Sequence, residues 1–187
     1  MSHGVLSSVH HFDGKAEVEE YIRSLNTPAT FFLAGAYMSY LSSGSLRELT
    51  KGKWGLALPI PDNSPIPLLD AESDTGKFVK AIFKKRNDTL GKRIYGAVAY
   101  YTPATMLRGF EEVFHEAGKG ASYIELPHDV FKASLASSGA SEVFQEEVLQ
   151  TMRLMPEFGY YGGASLDSSI AVSQSDSCCY IRLVETS

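Results

Sequence analysis

Residues 13–34 read Asp13-Gly14-Lys15-Ala16-Glu17-Val18-Glu19-Glu20-Tyr21-Ile22-Arg23-Ser24-Leu25-Asn26-Thr27-Pro28-Ala29-Thr30-Phe31-Phe32-Leu33-Ala34, and Gly35 follows. Val18, Tyr21, Ile22 and Leu25 fall at i, i+3, i+4 and i+7, a spacing that stacks four apolar side chains on one side of a helix. Asp13 can cap that helix, and Glu19 and Arg23 stand four apart on the side expected to meet water. Asn26-Thr27-Pro28 ends it, because the residue before a proline avoids the α region. Ala29–Ala34 is short, continuously apolar and closed by a glycine, which predicts a strand covered on both faces. A helix feeding such a strand is an α/β unit.

Downstream, the pattern stays mixed. Tyr37–Leu41 is expected to open a short helix and Trp54–Leu58 to form a strand. Prolines at 59, 61, 65 and 67 mark a loop that should not supply a central strand. Asp70–Asp74 places acid at the front of a helix and Lys80, Lys84, Lys85 and Arg86 gather at its rear, both complementing the helix dipole. Its expected buried stripe is Phe78, Val79, Ile82 and Phe83. Arg93–Val98 reads as a strand. Thr102-Pro103 then starts a helix, with a hydroxyl cap and proline at the first position; Met106, Leu107, Phe110, Val113 and Phe114 supply its apolar face, and Gly118 a stop. Ala121–Leu126 alternates like a strand. Helices over Pro127–Ala136 and Ser141–Met155 follow, the second buried through Val143, Phe144, Val148, Met152 and Met155. Ser165–Ser177 is serine-rich and expected to hold little fixed structure, which divides the chain into a domain over 1–164 and a tail over 165–187.

Composition narrows the function classes. In 187 residues, 17 Lys and Arg stand against 22 Asp and Glu, a net charge of −5, which argues against direct grip on nucleic acid. Apolar residues at 44% and charged residues at 21% suit a packed domain. No run of 18 apolar residues could span a bilayer, and Met1-Ser2-His3-Gly4-Val5 lacks the basic-then-apolar pattern of a secretory leader. Cys178 and Cys179 are adjacent and alone, so neither a disulfide framework nor a metal site is expected, and a reducing compartment, cytoplasmic and/or nuclear, fits. The Lys80–Arg86 cluster reads as a solvated helix end, and His115 and His128 as isolated surface groups. A dinucleotide-binding strand–turn–helix needs G-x-G-x-x-G, and no such turn occurs; nor do G-x-x-x-x-G-K-[ST], H-E-x-x-H or G-x-S-x-G.

An ordered series of segments carries a family resemblance. His10-His11-Phe12-Asp13-Gly14-Lys15-Ala16-Glu17-Val18-Glu19-Glu20-Tyr21-Ile22-Arg23 is similar to the segment that crosses into the C-terminal half of NmrA-like proteins, nitrogen-metabolite-repression regulators related to atypical short-chain dehydrogenase/reductases. The similarity continues through Thr27-Pro28-Ala29-Thr30-Phe31, Pro65-Ile66-Pro67-Leu68-Leu69-Asp70, Asp74-Thr75-Gly76-Lys77-Phe78-Val79, Leu90-Gly91-Lys92 and Gly159-Tyr160-Tyr161-Gly162-Gly163. It covers roughly residues 9–170. The implied fold class is α/β: the C-terminal portion of a Rossmann-like NAD(P)-binding fold with its smaller substrate lobe, without the N-terminal glycine-rich half. The closing segment also departs from the family after Ser169, so both ends are expected to be clipped.

The resemblance implies site residues. Lys15 matches the lysine that in catalytic relatives lies near the nicotinamide ribose, four positions after an active-site tyrosine; here His11 stands in the tyrosine's place. His11 and Lys15 are therefore the cofactor-binding residues, and the only catalytic candidates, for NADP or NAD. Tyr37 and Met38 follow the core strand where relatives shape the substrate pocket. The implied function is a regulator that senses cofactor redox state and contacts a transcription factor or other protein. The competing readings are an NADPH-dependent, isoflavone-reductase-like oxidoreductase and a non-binding remnant or interaction module. An apolar face left uncovered by helix 14–25 and strand 29–34 is expected to favour self-association.

Overall fold

Residues 13–34 fold as a helix feeding a strand: α1 spans His10–Ser24 and β1 Phe31–Ala34, in a computed structural model that describes residues 2 and 4–174. β2 (Ala36–Tyr37) follows directly, so Tyr37 ends a strand where a helix start was expected, and helical turns come only after it, through Leu41–Ser45. β3 (Leu46–Thr50) and β4 (Lys53–Leu58) make a hairpin whose turn uses Gly52 at φ 76°, a conformation natural to glycine. β5 (Ile66–Leu69), α2 (Ala71–Lys84) and the single turn α3 (Arg86–Thr89) come next, then β6 (Arg93–Gly96) and β7 (Ala99–Tyr101). The chain continues through α4 (Pro103–Val113), α5 (His115–Gly118), β8 (Ser122–Glu125), α6 (His128–Ser137), α7 (Glu142–Phe158) and α8 (Asp167–Gln174).

Side chains cap three of the helix starts, but Asp13, expected to cap the first helix, lies inside α1, whose cap position is Val9. Asp70 accepts from the N–H groups of Glu72 and Ser73 ahead of α2, and Ser141 from Phe144 N–H ahead of α7. Thr102 and Thr105 cap one another reciprocally, with Pro103 at the first helical position of α4. The strands form three small sheets. β1 pairs with β6 in parallel, β5 lies between parallel β2 and antiparallel β7, and β4 between antiparallel β3 and parallel β8. Leu58, Ile60, Ile66, Leu68 and Met155 form the central core. Leu69, Phe78 and Ile94 pack under α2.

Several expectations are overturned. Val18, Tyr21 and Leu25 are 59%, 65% and 57% exposed, whereas Glu19, placed on the wet side by its spacing, is buried. Periodicity shows which side chains share a face; what covers that face depends on the rest of the chain. A polar anchor holds α1 to the sheet instead. Glu19 Oε1 accepts from Arg23 Nε at 2.8 Å, and both its oxygens accept from Arg93 Nε at 2.9 and 3.0 Å. Arg23 also donates to Gly91 O and lies 4.4 Å above the Phe31 ring. Burial pushes the Glu19 carboxyl up, but the bonds from Arg93 and Arg23 outweigh it and hold the group below the ordinary glutamate value.

Pro67 does lie in the middle strand of its sheet. It is tolerated because β2 meets only Leu68 and Leu69, so at Pro67 the strand has one neighbour and is locally an edge. Val79 and Phe83 on α2, Val113 and Phe114 at the end of α4, and Val143 and Phe144 at the start of α7 are exposed. Residues 167–174, expected to lack fixed structure, form α8: Ser169 is fully buried and its Oγ accepts the Tyr95 N–H at 2.8 Å, closing the outer edge of β6. Cys178 and Cys179 lie outside the described residues. Among the described residues no strand pairs with the other edge of β1, and no helix is long and apolar enough to cross a membrane.

Candidate cofactor and ligand site

The first turn of α1 has no cap of its own, because Val9 at the cap position has no side-chain acceptor. α7 supplies one. Glu147 Oε1 accepts both the His11 backbone N–H, at 3.0 Å, and His11 Nδ1, at 2.7 Å. One turn further along α7, Gln150 Oε1 accepts the Ser8 N–H at 2.8 Å and its amide nitrogen donates to Glu146, which pairs with Lys132 of α6. The His11 side chain, then its backbone N–H, hold the Glu147 carboxyl below the ordinary value. Nothing in the sequence pairs positions 11 and 147, and Glu147 was missed for that reason.

From His11 an aromatic wall runs to the end of the sheet. The His11 ring lies 4.6 Å from Phe12, and Phe12 meets Tyr160 edge-on at 5.2 Å and 77°. Tyr160 crosses Tyr161 at 5.0 Å and 90°. Both hydroxyls close the carboxyl end of β1: Tyr160 donates to Ala34 O at 3.4 Å and Tyr161 to Leu33 O at 2.9 Å. Burial first, then the nearby phenols of Tyr37 and Tyr40, pushes the Tyr160 hydroxyl up to about 12, so it is a neutral donor. Tyr37 stacks on Tyr40 at 5.9 Å and 16° and is partly open to solvent. Met38 donates its N–H to Leu69 O and packs beside Tyr160 against the central core. These groups gather outside the carboxyl ends of parallel strands, where open α/β sheets take their ligands.

The structure thus brings His11, Tyr37 and Met38 to one region through Phe12 and Tyr160. Lys15 is exposed one helical turn after His11, with no ion pair among the described residues. No group of three metal-ligating side chains occurs among the described residues.

A model of the NmrA-like family matches residues 1–178. The chain belongs to the NmrA-like family. The nitrogen metabolite repression protein nmr of Neurospora crassa is 31% identical over 123 residues, 62% of this chain and 25% of that protein. Nitrogen metabolite repression protein nmrA of Emericella nidulans is 27% identical over 127 residues, 65% of this chain and 35% of that protein. Among solved structures, NmrA, described as a negative transcriptional regulator in complex with NADP, superposes with a TM-score of 0.65 at 22% identity, over 83% of this chain and 51% of that one. The same regulator in complex with NAD gives 0.62. This NmrA-like chain therefore has the fold of those regulators, and spans about half of the solved chains and a quarter to a third of the curated relatives.

The donors present fit one side of a nicotinamide nucleotide. His11 stands beside the aromatic wall, and the Lys15 ammonium is exposed one turn further along α1. The three glycines with positive φ at 159, 162 and 163 make no phosphate cradle, because they follow the carbonyl end of α7, which repels anions.

Proposed function

We propose that this NmrA-like chain contributes to a regulator that binds NAD(P), distinguishes its oxidised from its reduced form without turning it over, and passes that state to a transcription-factor partner. The observation that supports the reading most is His11. It stands where the resemblance places the tyrosine acid of reductases, and Glu147 ties it down. A reductase needs a hydroxyl-type acid beside its hydride donor. Here the nearest phenol along the wall, Tyr160, is committed to Ala34 O. When bound, the cofactor would supply the nicotinamide whose hydride distinguishes the two redox states. The chain's own residues orient it: His11 offers one ring nitrogen, Lys15 a cation to the ribose or phosphate side, and Tyr37 and Met38 line the face beyond.

The test is a pair of titrations with NADP+ and NADPH, followed by incubation of NADPH with a panel of carbonyl compounds at 340 nm. Saturable binding with different affinities and no NADPH consumption is expected. Consumption of NADPH would replace the sensor by a reductase, and no binding of either form would remove the cofactor role.

A further inference from the structure

We propose that Glu147 is a positioning residue for His11: it fixes the tautomer and orientation of the imidazole so that Nε2 is the nitrogen presented to the nicotinamide nucleotide. This rests on the cofactor reading above and names a residue that reading does not contain. One carboxylate oxygen receives both the backbone N–H and the side-chain Nδ1 of the same residue. The pair fixes the ring doubly, because the backbone bond sets the position of the His11 main chain and the ring bond sets its rotation. A neutral imidazole carries one proton and a carboxylate only accepts, so that proton must be on Nδ1. Nε2 is then left as a lone-pair nitrogen in the neutral ring and as a donor in the protonated ring. The Phe12 ring at 4.6 Å flanks the imidazole and restricts its rotation. The clasp is open to solvent, and the adjacent face of α7 holds the chain that leads into it. Gln150 holds Ser8, and Glu146, braced by Lys132 and Gln150, stands beside Glu147 in the sequence of the same helix. Orienting carboxylates of this kind act on the far nitrogen of a histidine by holding the near one.

The experiment uses the whole chain, with two readouts. Long-range nitrogen–proton NMR reads the His11 tautomer above the ordinary histidine titration range, near pH 8.5. Calorimetry with NADP+ reads binding. Wild type should be in the Nδ1–H form. E147A should move the ring towards Nε2–H and weaken NADP+ at least fivefold, while H11A weakens it as much and the double variant H11A/E147A no more than H11A alone. E147Q, which keeps an acceptor oxygen, should stay within about twofold of wild type. A wild-type ring in the Nε2–H form, a tautomer unchanged in E147A, or additive losses in the double variant would overturn the proposal. If E147A does not fold, the wild-type tautomer alone decides. The Nδ1–H form with no NADP+ binding would overturn the cofactor reading and, with it, this role in recognition; the tautomer is read without ligand, so the two failures are separable.

Discussion

Replacing Glu19 by glutamine tests how α1 is held. The substitution keeps the volume and removes the charge that Arg93 and Arg23 share. Hydrogen bonds to charged groups are worth about 1.5–3 kcal/mol each, and breaking a fully buried pair costs about 3–5 kcal/mol. Glu19 is 9% exposed, but its partners are 50% and 43% exposed, so water takes up much of what the guanidiniums lose. The expected cost at pH 7 is about 2 kcal/mol, a fall of roughly 4–8 °C in melting temperature for a chain of this size. The pH dependence has a definite sign. A carboxyl whose folded value lies below its unfolded one stabilises the fold above the unfolded value, near 4.3, and loses that contribution as pH falls through the lower folded value. The gap between wild type and E19Q, measured by urea denaturation, should therefore be full at pH 7 and close as the pH drops below about 4. V18S, on the exposed stripe of the same helix, should shift stability by less than about 0.5 kcal/mol. A gap for E19Q below about 0.5 kcal/mol at neutral pH, or one that persists unchanged in acid, would refute the polar-anchor reasoning.

Two further substitutions test the packing around the site. S169A removes the acceptor for a half-buried backbone N–H and should cost about 1 kcal/mol, with hydrogen exchange at the Tyr95 amide accelerated more than at Ile94. G35A would place a Cβ 2.7 Å from Pro67 O and 3.1 Å from Gly96 O. Neither backbone oxygen can move cheaply, so a loss of about 1–3 kcal/mol or more is expected in thermal melts.

The parts of the fold written in local chemistry were readable from the chain alone. The Thr102-Pro103 start, the acidic front of the helix after Asp70 and the helix-then-strand order of residues 13–34 depend on neighbours within a few positions and stand in the structure, although α1 begins at His10 rather than behind Asp13 and β1 is only half-buried. What depends on distant partners was not. Val18, Tyr21 and Leu25 have helical spacing, yet spacing says nothing of whether a covering element exists, and Glu19 is buried because Arg93, 74 residues away, comes to meet it. Pro67 reads as a strand breaker until the shortness of β2 is known. The serine run over 165–177 has a composition low in aromatics that suggests little structure, but within its described part Ser169 accepts the Tyr95 N–H and Leu166 enters a core. Part of the candidate site rests on the family resemblance rather than on local chemistry. His11, Tyr37 and Met38 came from the family resemblance and meet in one region, while Glu147, Phe12 and Tyr160 join them only through tertiary contacts.

The cofactor reading places one wall of a nicotinamide nucleotide site on the amino-terminal half of α1 and the end of β2. Chemical-shift mapping of the isotopically labelled chain during NADP+ titration tests it most directly. Saturable shifts concentrated at His11, Lys15, Tyr37 and Met38 are expected, with α6 and the β3–β4 hairpin silent. Shifts confined to other elements, or none at millimolar cofactor, would contradict it.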